Sequence, residues 1–259
     1  MTMAGLFILV RHLESTAVFF PSREVTSNPS LMDLPWDDVY FKSKDHVTLN
    51  GWFLKKPRAP STLIFAHGNA GNIADRLLKI RFFYDLGLNV FIFDYRGYGK
   101  SESKPSEAGI YLDAQAAYDY LQSRGDVNMN NIILYGASLG GAVIVDLATH
   151  RKAALLVVES SITNARDMAK IIYPFVPACF LGFKFDSVNK VRALDLPKLF
   201  IHSPDDEVVP YWIGQKLFEA AGQPKEFLEI HGGHNDGSIA EDPLAAEEFI
   251  RVLKNKGLI

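Results

Sequence analysis

Gly136-Ala137-Ser138-Leu139-Gly140 sets a serine between two glycines, at the point where an apolar run gives way to a helical pattern. A serine hydroxyl becomes a useful nucleophile only when a neighbouring base takes its proton. The G-x-S-x-G spacing serves that chemistry when it falls on a sharp strand-to-helix turn, because the turn lifts the hydroxyl clear of the backbone. Side chains at the flanking positions would collide with the adjoining strand or helix. Five residues of this pattern recur by chance. Their weight here comes from their placement after a strand that ends at Tyr135 and before a helix that begins at Leu139.

The base must be a histidine on a loop at the same sheet edge, and around such a turn the chain order is serine, acid, histidine. Four histidines follow the serine: His150, His202, His231 and His234. His150 falls at a helix end and His202 within a strand, where capping or core roles suit them. His231 adjoins the end of the last strand. His234 stands in Gly233-His234-Asn235-Asp236, a loop able to project an imidazole, and is the candidate general base. The acid belongs in Ser203-Pro204-Asp205-Asp206-Glu207-Val208-Val209-Pro210, just after another strand. Only a carboxylate buried against the histidine could hold its tautomer and stabilise its cation. Spacing does not choose among Asp205, Asp206 and Glu207.

A developing oxyanion needs two backbone N–H donors. Leu139, the residue after the serine, supplies one. The loop His67-Gly68-Asn69-Ala70-Gly71-Asn72, after an early strand, supplies the other through Asn69, with Gly68 permitting close approach. The plainer reading of this loop is a strand-to-helix turn with Asn72 as a helix cap. His67 is expected to support the loop and to transfer no proton.

The elements that would position these residues can be traced. Asp38 to Phe41 and Val47 to Leu54 alternate around the polar turn Lys44-Asp45-His46, which predicts an antiparallel hairpin at one sheet edge. Short apolar runs follow at Thr62 to Ala66, Val90 to Phe93, Asn131 to Tyr135, Leu155 to Val158, Leu199 to His202 and Phe227 to Ile230. They are too short for helices and read as buried parallel strands. Helical spacing is clearest over Glu107 to Leu121 and Leu139 to Ala148. This alternation predicts one α/β domain over residues 1–259, a mostly parallel eight-stranded sheet with helices on both faces. Residues 161–191 break it with an apolar, proline-punctuated stretch that includes Met168, Ile171, Ile172, Phe183 and Phe185. That stretch reads as a small helical cap over the carboxyl edge, lining an apolar substrate group or only packing onto the body.

Composition narrows the partners. Hydrophobic residues make up 48% and charged residues 22% of the 259, as in ordinary globular chains. With a net charge of −3 and no basic run, nucleic acid is not an expected partner. The single cysteine, Cys179, rules out an internal disulfide and a multi-cysteine metal site. Ala4 to Val10 is apolar but too short to span a bilayer, and lacks the basic start of a signal peptide. Residues 1–35 are expected to dock on the body, with contact at a membrane surface as the alternative for the apolar segment through Phe20. The expected location is cytoplasmic, with membrane attachment at most peripheral. Gly99-Lys100-Ser101 looks like the end of a phosphate-binding loop, but Asp94 stands where that motif needs glycine. No G-x-G-x-x-G is present to hold a dinucleotide. Arg96 and Tyr98 are expected to brace the turn instead.

Taken together, these segments resemble the α/β-hydrolase superfamily, and within it the serine hydrolases around Bem46 and its α/β-hydrolase-domain relatives. Phe19-Phe20-Pro21-Ser22-Arg23, HGNAGN, the Asp94 to Ser101 stretch, Pro105-Ser106-Glu107, GASLG, DDEVVP and GGHND occur in that group's order, over roughly residues 19 to 250. In the family pattern the acid is the Asp followed by one residue and then Val-Val-Pro, which selects Asp206. The resemblance implies a Ser138, Asp206, His234 triad and hydrolysis of a carboxyl ester or thioester with no cofactor or metal. The apolar cap suggests a lipophilic acyl group. Two alternatives stay open: amide or peptide cleavage on the same triad, since fold does not set substrate, and a binding protein that keeps the fold without catalysis. Intact positions for the triad and both oxyanion loops argue against the second.

Overall fold

A computed structural model describes residues 18–172 and 182–259. The amino-terminal segment as far as Ala17 and the apolar stretch Tyr173 to Leu181, with Cys179, lie outside the described residues.

The alternating residues at the start form the hairpin strands β1 (Asp37–Lys42) and β2 (Thr48–Leu54). Six further strands follow: β3 (Thr62–Ala66), β4 (Asn89–Phe93), β5 (Ile132–Ala137), β6 (Leu155–Glu159), β7 (Lys198–His202) and β8 (Lys225–Glu229). Together they make one eight-stranded sheet in the order β8-β7-β6-β5-β3-β4-β2-β1. Strand β2 runs antiparallel to both its neighbours, and every other pairing is parallel. The crossover that places β3 between β4 and β5 brings the carboxyl ends of β3 and β5 side by side, with Ala66 opposite Gly136. A crevice at such a point is where ligands bind in open α/β sheets.

The helices are α1 (Leu77–Asp85), α2 (Glu107–Ser123), α3 (Leu139–Ala148), α4 (Ala165–Ile172), α5 (Ser187–Lys190), α6 (Tyr211–Ala220) and α7 (Pro243–Asn255). Their starts follow local chemistry. Ser106 accepts the Gly109 N–H to open α2, and Asp242 accepts from Leu244 and Ala245 to open α7, whose first residue is Pro243. Alternate side chains of the central strands feed two cores. Ile64, Phe91, Leu134 and Leu156 pack under α2 and α3, while Leu63, Phe65, Ile92 and Tyr135 pack under α1 and α7. Helix α3 is buried from Leu139 through Leu147, which explains why its sequence is apolar on all sides.

Two expectations shift. The last strand begins two residues earlier than its apolar run, and only partly buries its side chains. It is an edge strand with a single neighbour, so the apolar-on-both-faces rule does not reach it. Strand β5 runs on through Gly136 and Ala137, delivering Ser138 directly from the sheet. In the stretch expected to form a cap, α4 is the described helix before Tyr173. Its Asp167 carboxylate is held by Lys216 of α6 at 2.6 Å. After Leu181 the chain returns to the body where Glu107 accepts the backbone N–H groups of Lys184 and Phe185, each at 2.7 Å.

Candidate active site

Ser138 has φ 53° and ψ −121°, a conformation that L-residues rarely adopt. Strain of this kind persists only where surroundings over-determine it. Here the Ser138 N–H donates to the Glu159 carbonyl at 2.9 Å, while its own carbonyl accepts from Gly141 N at 2.9 Å and Ser161 Oγ at 2.8 Å. The flanking glycines are required by packing. A Cβ on Gly136 would stand 2.2 Å from the Gly140 carbonyl oxygen, and one on Gly140 would stand 1.9 Å from that of Ala66. Both obstacles are backbone, so neither can swing aside. Helix α3 thus sits hard against the ends of β3 and β5, with the serine hydroxyl at their shared edge.

His234 approaches from the loop after β8. Its Nε2 lies 3.0 Å from Ser138 Oγ and its Nδ1 lies 2.8 Å from Asp206 Oδ2. The other oxygen of Asp206 accepts the N–H groups of Val208 at 3.0 Å and Val209 at 2.7 Å. Burial works against charge on Asp206, yet hydrogen bonds from His202 and His234, the charge of His234 and the Val209 amide hold its carboxyl well below the usual carboxylate range. A buried carboxylate that favours its ionised form fixes Nδ1 as the donor and leaves the Nε2 lone pair for the serine proton.

The loop after β3 faces the same point. Gly68 lies against the serine, where an added Cβ would be 3.6 Å from Ser138 Cβ, an ordinary contact. The close approach expected of Gly68 therefore does not depend on its lacking a side chain. Leu139 opens α3, a position whose N–H has no intrahelical carbonyl. The loop carbonyls are tied down by buried tyrosines: Tyr95 Oη donates to His67 O and Tyr98 Oη to Asn69 O, both at 2.7 Å. Asn72 caps the turn that follows, sharing a reciprocal pair of bonds with Asp75.

The segment at residues 18–24 straps the same loop. Phe20 N donates to Asn69 O at 3.1 Å, Ser22 N to Gly71 O at 3.0 Å, and the side chains of Asn69 and Asn72 donate back to Val18 O and Glu24 O at 2.9 and 2.7 Å. Phe19 is buried against Phe183 and Phe185, with ring centroids 5.4 and 6.3 Å away.

The residues set aside in the sequence have definite places. His231 gives its backbone N–H to Asp242 at 3.0 Å, and His150 stands exposed near Asp146. Arg96 braces its turn by pairing with Asp45 and Asp113. Two groups do more than composition suggests. Glu207 accepts the backbone N–H of His234 at 2.9 Å, tethering the histidine loop. His202, buried at the end of β7, brings Nε2 to 2.8 Å from Val209 O and 3.4 Å from Asp206 Oδ2. The first contact spans from one loop to its neighbour, and the second closes within the segment that follows β7.

Ser138 and His234 open onto a cleft of about 200 Å³ lined by Asn69, Arg76, Lys79, Asn235, Ser238 and Glu241 among others. No group of histidine, cysteine or acidic side chains among the described residues could hold a metal ion. No described helix is long and apolar enough to cross a membrane.

With this geometry, the likeness to known proteins is informative. The protein Bem46 of Schizosaccharomyces pombe is 33% identical over 261 residues, covering 93% of this chain and 86% of its own. The chain belongs to the α/β-hydrolase superfamily, in the Bem46 group. The α/β-hydrolase domain-containing protein WAV2 of Arabidopsis thaliana is 34% identical, over 89% of this chain and 83% of its own. A family described as serine aminopeptidase, S33, matches residues 57–183. Among solved structures, an esterase of Pyrococcus furiosus superposes with a TM-score of 0.75 at 21% identity, covering 92% of this α/β-hydrolase and 97% of the esterase chain. At that identity the likeness speaks for the shared fold.

Proposed function

We propose that this α/β-hydrolase cleaves a carboxyl ester or thioester through an acyl-enzyme on Ser138. The observation that carries the reading is the continuous chain from Ser138 Oγ through His234 to a buried, ionised Asp206, with the serine held at positive φ. Ser138 Oγ attacks the acyl carbon while His234 Nε2 takes its proton. The backbone N–H groups of Asn69 and Leu139 receive the oxyanion, and the alcohol or thiol leaves with the proton from His234. Water, deprotonated by the same imidazole, then releases the acid and restores the serine. No cofactor enters these steps.

The expectation of a lipophilic acyl group keeps little support from the described residues. Phe183 and Phe185 are engaged with Phe19, Ile171 and Ile172 are exposed, and exposed Leu78 is an apolar side chain of the cleft wall. Amide cleavage is the second reading, favoured by the aminopeptidase description of the matching family. The test is hydrolysis of p-nitrophenyl esters from acetyl to palmitoyl, beside the matching p-nitroanilides and the Ser138→Ala variant. Esters should turn over, anilides should lag, and the variant should lose on the order of a thousandfold or more. Equal inertness of both proteins, with no labelling of Ser138 by a fluorophosphonate, would overturn the reading. Anilides cleaved as readily as esters would favour the amidase.

A further inference from the structure

One cation on the wall of the catalytic cleft makes no ion pair among the described residues, although the charges of Asp75 and Asp94 reach it from nearby. Four charged side chains line the cleft: Asp75, Arg76, Lys79 and Glu241. Lys79 is paired with the buried carboxylate of Glu159. The carboxylate of Asp75 accepts the Asn72 N–H at 2.9 Å, and exposed Glu241 accepts from Ser238 Oγ at 2.8 Å. Arg76 differs. No carboxylate among the described residues comes within ion-pair reach of it, and its one protein hydrogen bond runs from Nη2 to the carbonyl of Ala70. Its Nε is buried with no partner. A guanidinium has five N–H donors in a rigid plane, so most of its capacity is unused. Burial lowers its pKa and outweighs the nearby charges of Asp75 and Asp94, which act to raise it.

We propose that Arg76 is the anchor of an anion subsite in this cleft, and that the substrate is a short ester carrying a carboxylate in addition to its scissile group. The inference rests on the hydrolase reading above and narrows its substrate class. A planar guanidinium matches a carboxylate through two parallel N–H donors. The volume fits as well. A cleft of about 200 Å³ is smaller than the roughly 300 to 1,000 Å³ of sites for drug-sized ligands. In turnover the carboxylate is a spectator on Arg76: the ester C–O bond breaks at the Ser138 acyl carbon, the alcohol departs with the proton from His234, and water supplies the new carboxyl oxygen and proton. The Nη2 bond to Ala70 orients the guanidinium, and also ties it to the loop that holds Asn69.

That second tie sets the form of the test. Wild type, Arg76→Gln and Arg76→Lys are compared on mono-p-nitrophenyl esters of succinate, glutarate and adipate against their uncharged methyl-capped counterparts. A second pair, the acetate esters of 4-hydroxybenzoate and of its methyl ester, puts the charge on the leaving side. Loss of one charge-assisted contact should lower the charged-to-uncharged ratio of kcat/KM by about 10- to 100-fold in Arg76→Gln. Arg76→Lys should retain part of the preference. A wild type with no preference for the charged member of either pair would overturn the subsite, as would an Arg76→Gln variant that slows charged and uncharged esters equally, the mark of a loop brace. If wild type hydrolyses nothing, the hydrolase reading fails alone. The subsite is then read by calorimetric binding of monomethyl glutarate, present in wild type and weakened at least tenfold in Arg76→Gln if the inference holds, and unchanged if it does not.

Discussion

The two sides of the active site are built by different means. On the serine side, position comes from backbone: a strained residue, two glycines with no room for a side chain, and a helix pressed against strand ends. On the histidine side, position comes from side chains, with Asp206 and Glu207 reaching between loops to hold His234 and His202 standing against Asp206. Backbone packing tolerates almost no change but needs few residue types. Side-chain tethering allows partial failure, one contact at a time.

Three substitutions test that contrast. The largest effect is expected from Asp206→Asn. The amide oxygen can still accept from Val208 and Val209, which turns its NH₂ toward His234 Nδ1. The imidazole must then accept there and carry its proton on Nε2, where it can no longer take one from Ser138. Ester kcat should fall about 10⁴-fold, the scale known for the acid of a serine–histidine–aspartate triad, with the thermal midpoint little changed. Gly140→Ala should act the other way round, on stability. A methyl group 1.9 Å from a backbone oxygen forces helix and strand apart, at a cost of about 3 kcal/mol or more in urea unfolding. A cost near zero would show that the elbow yields more readily than its geometry implies. Smallest is Glu207→Ala, which frees one backbone N–H of the histidine loop. Roughly two- to tenfold in kcat is expected, and a loss as large as that of Asp206→Asn would mean that the side-chain tethers act as one unit.

The same contrast explains what could be read from the chain. Gly136, Ser138 and Gly140 declare themselves because backbone crowding admits few residues, and α3 begins and ends where its apolar run does. The buried strands are legible for the same reason, whereas edge strand β8 is displaced because a half-exposed strand has no continuous apolar signature. Asp206 is not separable from Asp205 and Glu207 by spacing, since its distinction is which way it faces. Glu207 reads as a surface charge until the loop from β8 is folded beside it. Arg76 is harder still: its interest lies in what does not pair with it, and that emerges only once the fold shows no described carboxylate within ion-pair reach of its guanidinium.

The strap at residues 18–24 bears on how the chain can be divided. A protein engineer trimming the sequence to its sheet and helices would begin near β1 and retain Ser138, Asp206 and His234 intact. Such a product would keep a reactive serine yet lose the backbone partners of Asn69, Gly71 and Asn72 on one side of the oxyanion loop. The working boundary of the catalyst therefore lies upstream of the boundary of its sheet, and any tag, fusion or cleavage site placed between them is in effect a modification of the active site.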